Sequence, residues 1–152
     1  EAPHTSMWDF FWGKLYFSSK GRSIYLLMKK ELFFFPLGPI LNALGAFPVD
    51  RKNPGLLIER LKNEMKRRKE LVLIITPEGT RKLNKRWKSG FYKISQKTDL
   101  PVIISYIDYK KKEMGVIKKL EPTGNFDNDR QEIKKLYTGI TAKHPEKFSN
   151  EE

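Results

Sequence analysis

His4 and Asp9 are two residues near the start of the chain whose types suit acid–base chemistry, and they lie five positions apart. On one continuous helix, five steps rotate a side chain by roughly 500°, which leaves the pair about 140° apart. They meet if His4 instead lies in a strand or loop and Asp9 lies in the first turn of the following helix. An aspartate beside one ring nitrogen fixes the tautomer and leaves the other nitrogen as a base. A simpler interpretation is that Thr5 or Ser6 caps a helix and that His4 is an incidental loop residue.

A second group of reactive types follows a run of apolar residues at positions 71–75, which predicts a buried strand covered on both faces. Gly79 permits a positive φ or a close approach of the backbone. Arg81 offers a planar fork of donors suited to phosphate, and Glu78 could orient that arginine or the substrate. Polar groups at the carboxyl end of a strand are typical of α/β sites. The alternative is an ordinary strand-to-helix turn with a surface arginine.

Arg51 ends a short predicted strand at positions 46–50, much as Arg81 follows the strand at 71–75. The two guanidinium groups could therefore converge on one phosphate. The alternative is that Arg51 forms a surface ion pair with Asp50 or Glu59.

Hydrophobic periodicity predicts alternating strands and helices over two thirds of the chain, which indicates a single α/β domain with a mixed β-sheet flanked by helices. The predicted helices lie at 9–16, at 40–44 with a stop at Gly45, from Asn53-Pro54 onward, at 87–97, and from a cap at Asp127 or Asn128 to near Pro145. The predicted strands lie at 22–28, 46–50, 71–75 and in an antiparallel hairpin of 100–109 with 114–120. The run Leu32–Phe35 suits insertion into lipid, an acyl-chain groove or plain core.

Composition narrows the class of function. The 152 residues carry a net charge of +12, which favours an anionic partner such as a phosphorylated substrate or an acidic membrane surface. No cysteine is present, so a thiolate nucleophile and a cysteine metal site are excluded, and two histidines cannot form a multi-histidine metal cluster. Basic residues beside aromatics also suit nucleic acid, but no nucleic-acid-binding module is recognisable. No apolar stretch is long enough to span a bilayer.

Four blocks in order carry a family resemblance. They are His4-x-x-x-x-Asp9, Gly45-x-x-x-x-x-Arg51, Pro77–Arg81 and Leu100-Pro101-Val102-Ile103. Together they resemble the glycerolipid acyltransferase family, the 1-acylglycerol-3-phosphate (lysophosphatidic acid) acyltransferases, over roughly residues 1–110 and in a compact bacterial-type branch. The resemblance implies a glycerol-3-phosphate acyltransferase-like fold for a domain spanning 1–152. Because His4 lies so near the first residue, we expect that an N-terminal portion, including the strand leading into His4, is missing.

The resemblance also implies residue roles. His4 would be the general base for the acceptor hydroxyl, oriented by Asp9, and the hydroxyl would attack the thioester of acyl-CoA or acyl-carrier protein directly. The phosphate of a lysophospholipid such as 1-acylglycerol-3-phosphate would be bound by a second set of residues, Arg51, Glu78, Gly79, Thr80 and Arg81. No metal or other cofactor is implied. The protein would be peripheral, on the cytoplasmic side of the cell membrane and held to its anionic surface.

The chain departs from the family pattern at several positions: Pro3 stands where asparagine is usual, Pro48 and Thr76 where aromatic residues are usual, and Ile104 where a second proline is frequent. None of these changes removes a proposed catalytic group. The main alternative is a non-catalytic lipid-binding or membrane-tethering domain that retains the fold. A hydrolase lacks support because the chain has no Gly-x-Ser-x-Gly elbow.

Overall fold

The computed structural model describes residues 1–50 and 53–150. The described chain forms two compact units, one of Glu1–Tyr16 with the residues from Thr76 onward, and one of Phe17–Ile75. The helices are α1 (Met7–Ser19), α2 (Leu37–Ala43), α3 (Pro54–Arg67), α4 (Gly90–Thr98) and α5 (Phe126–Lys135), with 3-10 turns at Lys30–Leu32 and Pro145–Lys147. The strands are β1 (Ile24–Lys29), β2 (Ala46–Val49), β3 (Val72–Ile74), β4 (Val102–Asp108) and β5 (Glu113–Leu120).

A parallel three-stranded sheet in the order β2-β1-β3 forms the centre of the Phe17–Ile75 unit. Leu26 of β1 pairs with Ala46 on one side and with Ile74 on the other. The strand predicted at 71–75 therefore exists as β3, but it lies at the edge of the described sheet and is half-buried. An edge strand has a neighbouring strand on one side only, so its residues stay half-buried and the predicted cover on both faces is not seen. Leu57 and Leu61 of α3 are buried, as their four-residue spacing predicts.

An antiparallel hairpin of β4 and β5 forms the sheet of the other unit, as predicted. The α/β class is thus confirmed, with parallel pairs in one described sheet and antiparallel pairs in the other. The hairpin packs in a core cluster with the N-terminal segment, the loop before α4, the helix α5 and the residues after α5. The buried members of this cluster are Ala2, Trp87, Ile104, Ile133 and Tyr137. The hydroxyl of Tyr137 donates a 2.9 Å hydrogen bond to the carbonyl of Ser105, which ties the region after α5 to β4.

Helix ends are where local patterns predicted least well. The helix α5 is capped by Asn125, whose side chain accepts a hydrogen bond from the main-chain N–H of Asn128, so the predicted cap at Asp127 or Asn128 is wrong. The same helix ends at Lys135 rather than near Pro145, because the main-chain N–H groups of residues 136–138 bond to carbonyls three residues back instead of four. The helix predicted from position 87 begins at Gly90. The stop at Gly45 is confirmed, since α2 ends at Ala43 and Gly45 has a φ of +85°.

The run Leu32–Phe35 lies largely at the surface of its unit. Phe35 is 87% exposed, and Leu32 and Phe34 are also exposed, which rules out the plain-core interpretation of this run. Among the described residues, no helix combines the length and apolarity that crossing a membrane requires.

Candidate active site

The segment before His4 runs beside β4. Ala2 forms a parallel bridge with Tyr106, and its main-chain N–H lies 3.4 Å from the carbonyl oxygen of Ser105. Because the two segments run in the same direction, the residues that follow each of them emerge at the same end. His4 follows one segment and Tyr109 follows the other, which is how positions so distant in sequence come together.

His4 and Asp9 meet in the way their spacing predicted. His4 precedes α1 and Asp9 lies in its first turn, and Nδ1 of His4 is 3.3 Å from Oδ2 of Asp9. This contact has the distance of an ion pair but not the alignment of a hydrogen bond. The side chain of Asp9 is 1% exposed and that of His4 is 20% exposed. The carboxylate is therefore shielded from water, whereas part of the imidazole is exposed to solvent. Such exposure is required of a base that must contact a substrate.

Asp9 also caps the helix that carries it. Its Oδ2 accepts hydrogen bonds of 2.8 Å from the main-chain N–H groups of both Thr5 and Ser6. The hydroxyl of Ser6 in turn accepts from the N–H of Trp8 at 3.2 Å. This arrangement resembles a capping box, since the Asp9 carboxylate receives the N–H of the capping Ser6 while the Ser6 hydroxyl receives an N–H of the first turn. The capping interpretation and the catalytic interpretation of this stretch are therefore compatible, because one carboxylate serves both.

A tyrosine completes the surroundings of the carboxylate. The hydroxyl of Tyr109 donates a 2.7 Å hydrogen bond to Oδ1 of Asp9. Burial alone would raise the pKa of Asp9, but the approach of His4 and the bonds from Tyr109, Ser6 and Thr5 outweigh it, and the pKa lies below its ordinary value. Asp9 is thus an ionised acceptor at neutral pH, suited to hold a proton on Nδ1 of His4.

Glu78 contacts the backbone of His4 through its side chain. It is buried, and its Oε1 accepts a 2.9 Å hydrogen bond from the main-chain N–H of His4. Burial raises the pKa of Glu78, an effect that the His4 bond only partly offsets. In the described chain no hydrogen bond or ion pair joins Glu78 to Arg81, so the suggestion that Glu78 orients this arginine is not seen. Its assignment to the phosphate site stays a prediction.

The turn at 76–81 brings an additional cation to Gly79. The N–H of Gly79 donates to the carbonyl of Thr76 at 3.1 Å, and Gly79 takes a φ of +63°. The N–H of Lys88 donates to the carbonyl of Pro77 at 2.8 Å. The Lys88 side chain then crosses Gly79, with Cδ 3.0 Å and Nζ 3.3 Å from the point that a Cβ would occupy. Gly79 is therefore needed both for its backbone conformation and for the room it leaves to this lysine.

The other residues predicted to bind phosphate are Thr80, Arg81 and Arg51. The Thr80 hydroxyl accepts a hydrogen bond from the N–H of Lys82 at 3.2 Å, which is a local turn contact. Arg81 is exposed, and its side chain makes no hydrogen bond or ion pair within the described chain. Arg51 lies outside the described residues, so the convergence of the two guanidinium groups stays a prediction. Within the described ranges, no cluster of three histidines or acidic residues is placed to hold a metal ion.

Tyr109 and Lys88 are the two residues at this site that the sequence did not single out. Lys88 belongs to a basic run around Trp87, which gave a weak signal for an anionic partner. Tyr109 lies beside the basic run at 110–112, which gave the same weak signal, and nothing in the sequence linked it to Asp9, a hundred positions away.

The fold and the site together define an α/β protein in which a partly exposed histidine side chain lies beside a buried carboxylate. A family model described as Acyltransferase matches residues 2–107, which include both members of the pair and the turn at 76–81. The chain belongs to this acyltransferase family, and its resemblance to the glycerolipid acyltransferases is confirmed.

Two curated relatives carry the same printed name. Over 83 residues the chain is 39% identical to a 1-acyl-sn-glycerol-3-phosphate acyltransferase of Cocos nucifera, covering 51% of this chain and 27% of that protein. Over 84 residues it is 32% identical to a 1-acyl-sn-glycerol-3-phosphate acyltransferase of Streptococcus pneumoniae (strain ATCC BAA-255 / R6), covering 55% of this chain and 31% of that protein. The matches thus span less than a third of each relative. No solved structure matches the chain.

Proposed function

We propose that this chain carries the catalytic site of an O-acyltransferase that moves a fatty acyl group from acyl-CoA or acyl-carrier protein to the hydroxyl of a lysophospholipid such as 1-acylglycerol-3-phosphate. The observation that carries the proposal is the 3.3 Å approach of Nδ1 of His4 to Oδ2 of Asp9 in a chain of the acyltransferase family. The names of the two curated relatives support a lysophosphatidate-type acceptor.

The proposed reaction uses Nε2 of His4 as the general base. It takes the proton of the acceptor hydroxyl as the oxygen attacks the thioester carbonyl. The new ester bond forms, the carbon–sulfur bond breaks, and the imidazolium returns its proton to the departing thiolate. Asp9 stays ionised throughout, since its pKa is lowered, and stabilises the imidazolium. The chain contains no cysteine, so no thiolate of its own competes for the acyl group.

Basic side chains around the turn at 76–81 suit the acceptor phosphate. Arg81 is exposed and has a planar fork of donors, while the ammonium group of Lys88 lies over Gly79. We assign phosphate binding to Arg81, with Glu78, Gly79 and Thr80 shaping the turn and Arg51 as a second ligand.

A membrane-facing surface is proposed on α1. Five exposed apolar residues repeat at four-residue spacing along one sector of this helix, namely Met7, Trp8, Phe11, Trp12 and Leu15. The two buried residues of α1, Asp9 and Gly13, share the opposite sector. Exposed tryptophans beside a cation suit a bilayer interface with anionic lipid, and the ammonium group of Lys143 lies 5.0 Å from the Trp8 ring centroid. We propose peripheral attachment on the cytoplasmic side of the cell membrane.

The alternative of a non-catalytic lipid-binding domain would need no oriented base. The closeness of His4 to a carboxylate that receives two main-chain donors and one tyrosine donor favours catalysis over that alternative.

The test is direct. The purified protein is incubated with each acyl donor and a series of lysolipids in vesicles, and free thiol and diacylated product are measured together. Equal amounts of thiol and product with a phosphorylated acceptor are expected. Absence of both with every pair of donor and acceptor would contradict the proposal.

A further inference from the structure

Tyr109 makes a contact with the proposed catalytic pair that neither the motif nor the family match includes. It lies beyond the matched residues 2–107, directly after β4, and its hydroxyl donates to Oδ1 of Asp9 at 2.7 Å. Its main-chain N–H donates a 2.9 Å hydrogen bond to the carbonyl of Thr141, which holds the residue in place from the backbone side.

We propose that Tyr109 is a positioning residue for the acyl transfer, which fixes the Asp9 carboxylate so that Oδ2 faces the imidazole of His4. The inference rests on the proposed function, since it assigns a third member to the same His–Asp base. Tyr109 acts through Asp9 and takes no proton from the substrate.

The division of bonds between the two oxygens of Asp9 is the basis for this role. Oδ2 receives the N–H groups of Thr5 and Ser6 and faces His4, whereas Oδ1 receives Tyr109. A carboxylate has about four acceptor positions, so donors on both oxygens restrict its rotation. Without the tyrosine hydroxyl, Oδ1 would be a buried acceptor with one donor fewer, and the carboxylate could turn to share the existing donors. His4 would then lose its fixed partner.

The tyrosine is a donor to Asp9 over the working range of pH. Burial, and then the hydrogen bond and negative charge of Asp9, raise the pKa of Tyr109 well above its ordinary value. The phenol therefore keeps its proton. The ammonium group of Lys143 lies over the ring, 5.9 Å from its centroid.

A matched control exists in the same unit. The hydroxyl of Tyr92 donates a 2.6 Å hydrogen bond to Oδ2 of Asp129, so Tyr92→Phe removes the same kind of contact elsewhere, together with the bond that this hydroxyl accepts from the N–H of Gly124. Tyr109→Phe should lower kcat by about tenfold or more, the effect expected when one hydrogen bond to a charged group is lost, with KM for donor and acceptor changed less than about twofold. Tyr92→Phe should lower the melting temperature but leave kcat within about twofold of wild type. If Tyr109→Phe is unfolded at the assay temperature, wild type and both variants are compared at a lower temperature at which all three are folded.

A second measurement needs no substrate. The chain has only two histidines, so 15N labelling of the imidazoles gives two sets of ring signals, and a His144→Gln variant assigns them. Above the pH range in which histidine titrates, wild-type His4 should carry its proton on Nδ1, beside Asp9. In Tyr109→Phe we expect a mixture of both tautomers at His4, and in Tyr92→Phe the wild-type pattern.

The outcomes separate the two proposals. A loss of kcat together with a tautomer mixture supports the role of Tyr109. Wild-type kcat, an unchanged His4 tautomer, or an equal loss of kcat in Tyr92→Phe overturns it. If the wild-type protein transfers no acyl group at all, the proposed function fails by itself, and the NMR measurement still decides whether Tyr109 controls His4.

Discussion

The main-chain N–H of His4 donates a 2.9 Å hydrogen bond to Oε1 of Glu78. The acidic residue of the Pro-Glu-Gly-Thr-Arg turn therefore holds the backbone of the proposed base. A role for Glu78 near substrate phosphate was predicted from its neighbours in sequence, whereas its contacts in the structure tie the turn to the start of the chain. Its buried Oε2 has no hydrogen-bond partner in the described chain, which makes its charge costly.

The pH dependence of stability should show this cost. Because burial raises the pKa of Glu78 in the folded state, its contribution to stability is fully present below the unfolded pKa. That contribution is lost as pH rises through the folded pKa. We expect the melting temperature of wild type to decline across the weakly acidic range, and Glu78→Gln to lack this part of the decline. Glu113→Gln, at an exposed position of the same unit, is the control. Identical pH profiles for Glu78→Gln and wild type in thermal unfolding would show that the burial of this carboxyl has no such effect.

Removal of either member of the pair should abolish most turnover. His4→Ala and Asp9→Asn should each reduce kcat by a factor on the order of 10² to 10⁴, the contribution typical of a positioned base, with KM little changed. Far-UV circular dichroism should confirm that both variants are folded. His144→Ala removes the other histidine side chain but keeps the main-chain bond from His144 to the Thr5 hydroxyl, so it should retain wild-type activity. Steady-state rates decide, and full activity in His4→Ala would remove His4 from the mechanism.

Arg81→Ala should act mainly on acceptor binding. The loss of a charge-assisted contact to phosphate should raise KM for a phosphorylated lysolipid roughly tenfold to a hundredfold, while KM for the acyl donor stays unchanged. Lys97→Ala, which removes one positive charge from the last turn of α4, controls for the general loss of charge. The assignment is wrong if only the donor KM rises, or if an acceptor without phosphate is affected equally.

Gly79→Ala should combine backbone strain with displacement of Lys88. The added methyl group would lie 3.0 Å from Cδ of Lys88, so the lysine side chain must shift by a few tenths of an ångström. Gly139→Ala is the matched control, since Gly139 also has a positive φ of +83° but has no atom within 4 Å of the added carbon. Both variants should lose about 1 kcal/mol or more of stability. Only Gly79→Ala should raise the KM for the phosphorylated lysolipid. An equal rise in Gly139→Ala would show that Lys88 has no part in phosphate binding.

The exposed sector of α1 should control attachment to vesicles. Phe11→Asp with Leu15→Asp removes two large apolar side chains and adds two negative charges, so partitioning onto anionic vesicles should fall by a factor of roughly ten or more. Ile103→Asp with Val116→Asp introduces the same two charges at exposed apolar positions of β4 and β5 and should change partitioning far less. Cosedimentation with vesicles of anionic and of zwitterionic phospholipid gives the readout. Undiminished binding of the α1 double variant would place the membrane contact elsewhere.

Local rules were sufficient for much of this protein. The five-residue spacing of His4 and Asp9, with a serine and a threonine between them, predicted a helix start that brings acid and base together, because capping and helical rotation depend on neighbouring residues only. The same holds for the hairpin of β4 and β5 and for the positive φ at Gly79. Helix lengths were less predictable, since the apolar stripe that includes Tyr137 packs in the core after α5 has already ended.

Tertiary structure alone decided which distant groups surround the proposed base. The parallel bridge between Ala2 and Tyr106 brings the end of β4 to the start of α1, and with it the hydroxyl of Tyr109 to Asp9. The contact of Glu78 with the His4 backbone arises in the same way. Periodicity and spacing describe residues within one or two turns of each other and carry no information on pairings across 74 or 100 positions. Those pairings depend on the packing of distant segments into the core that includes Ala2, Ile104 and Tyr137.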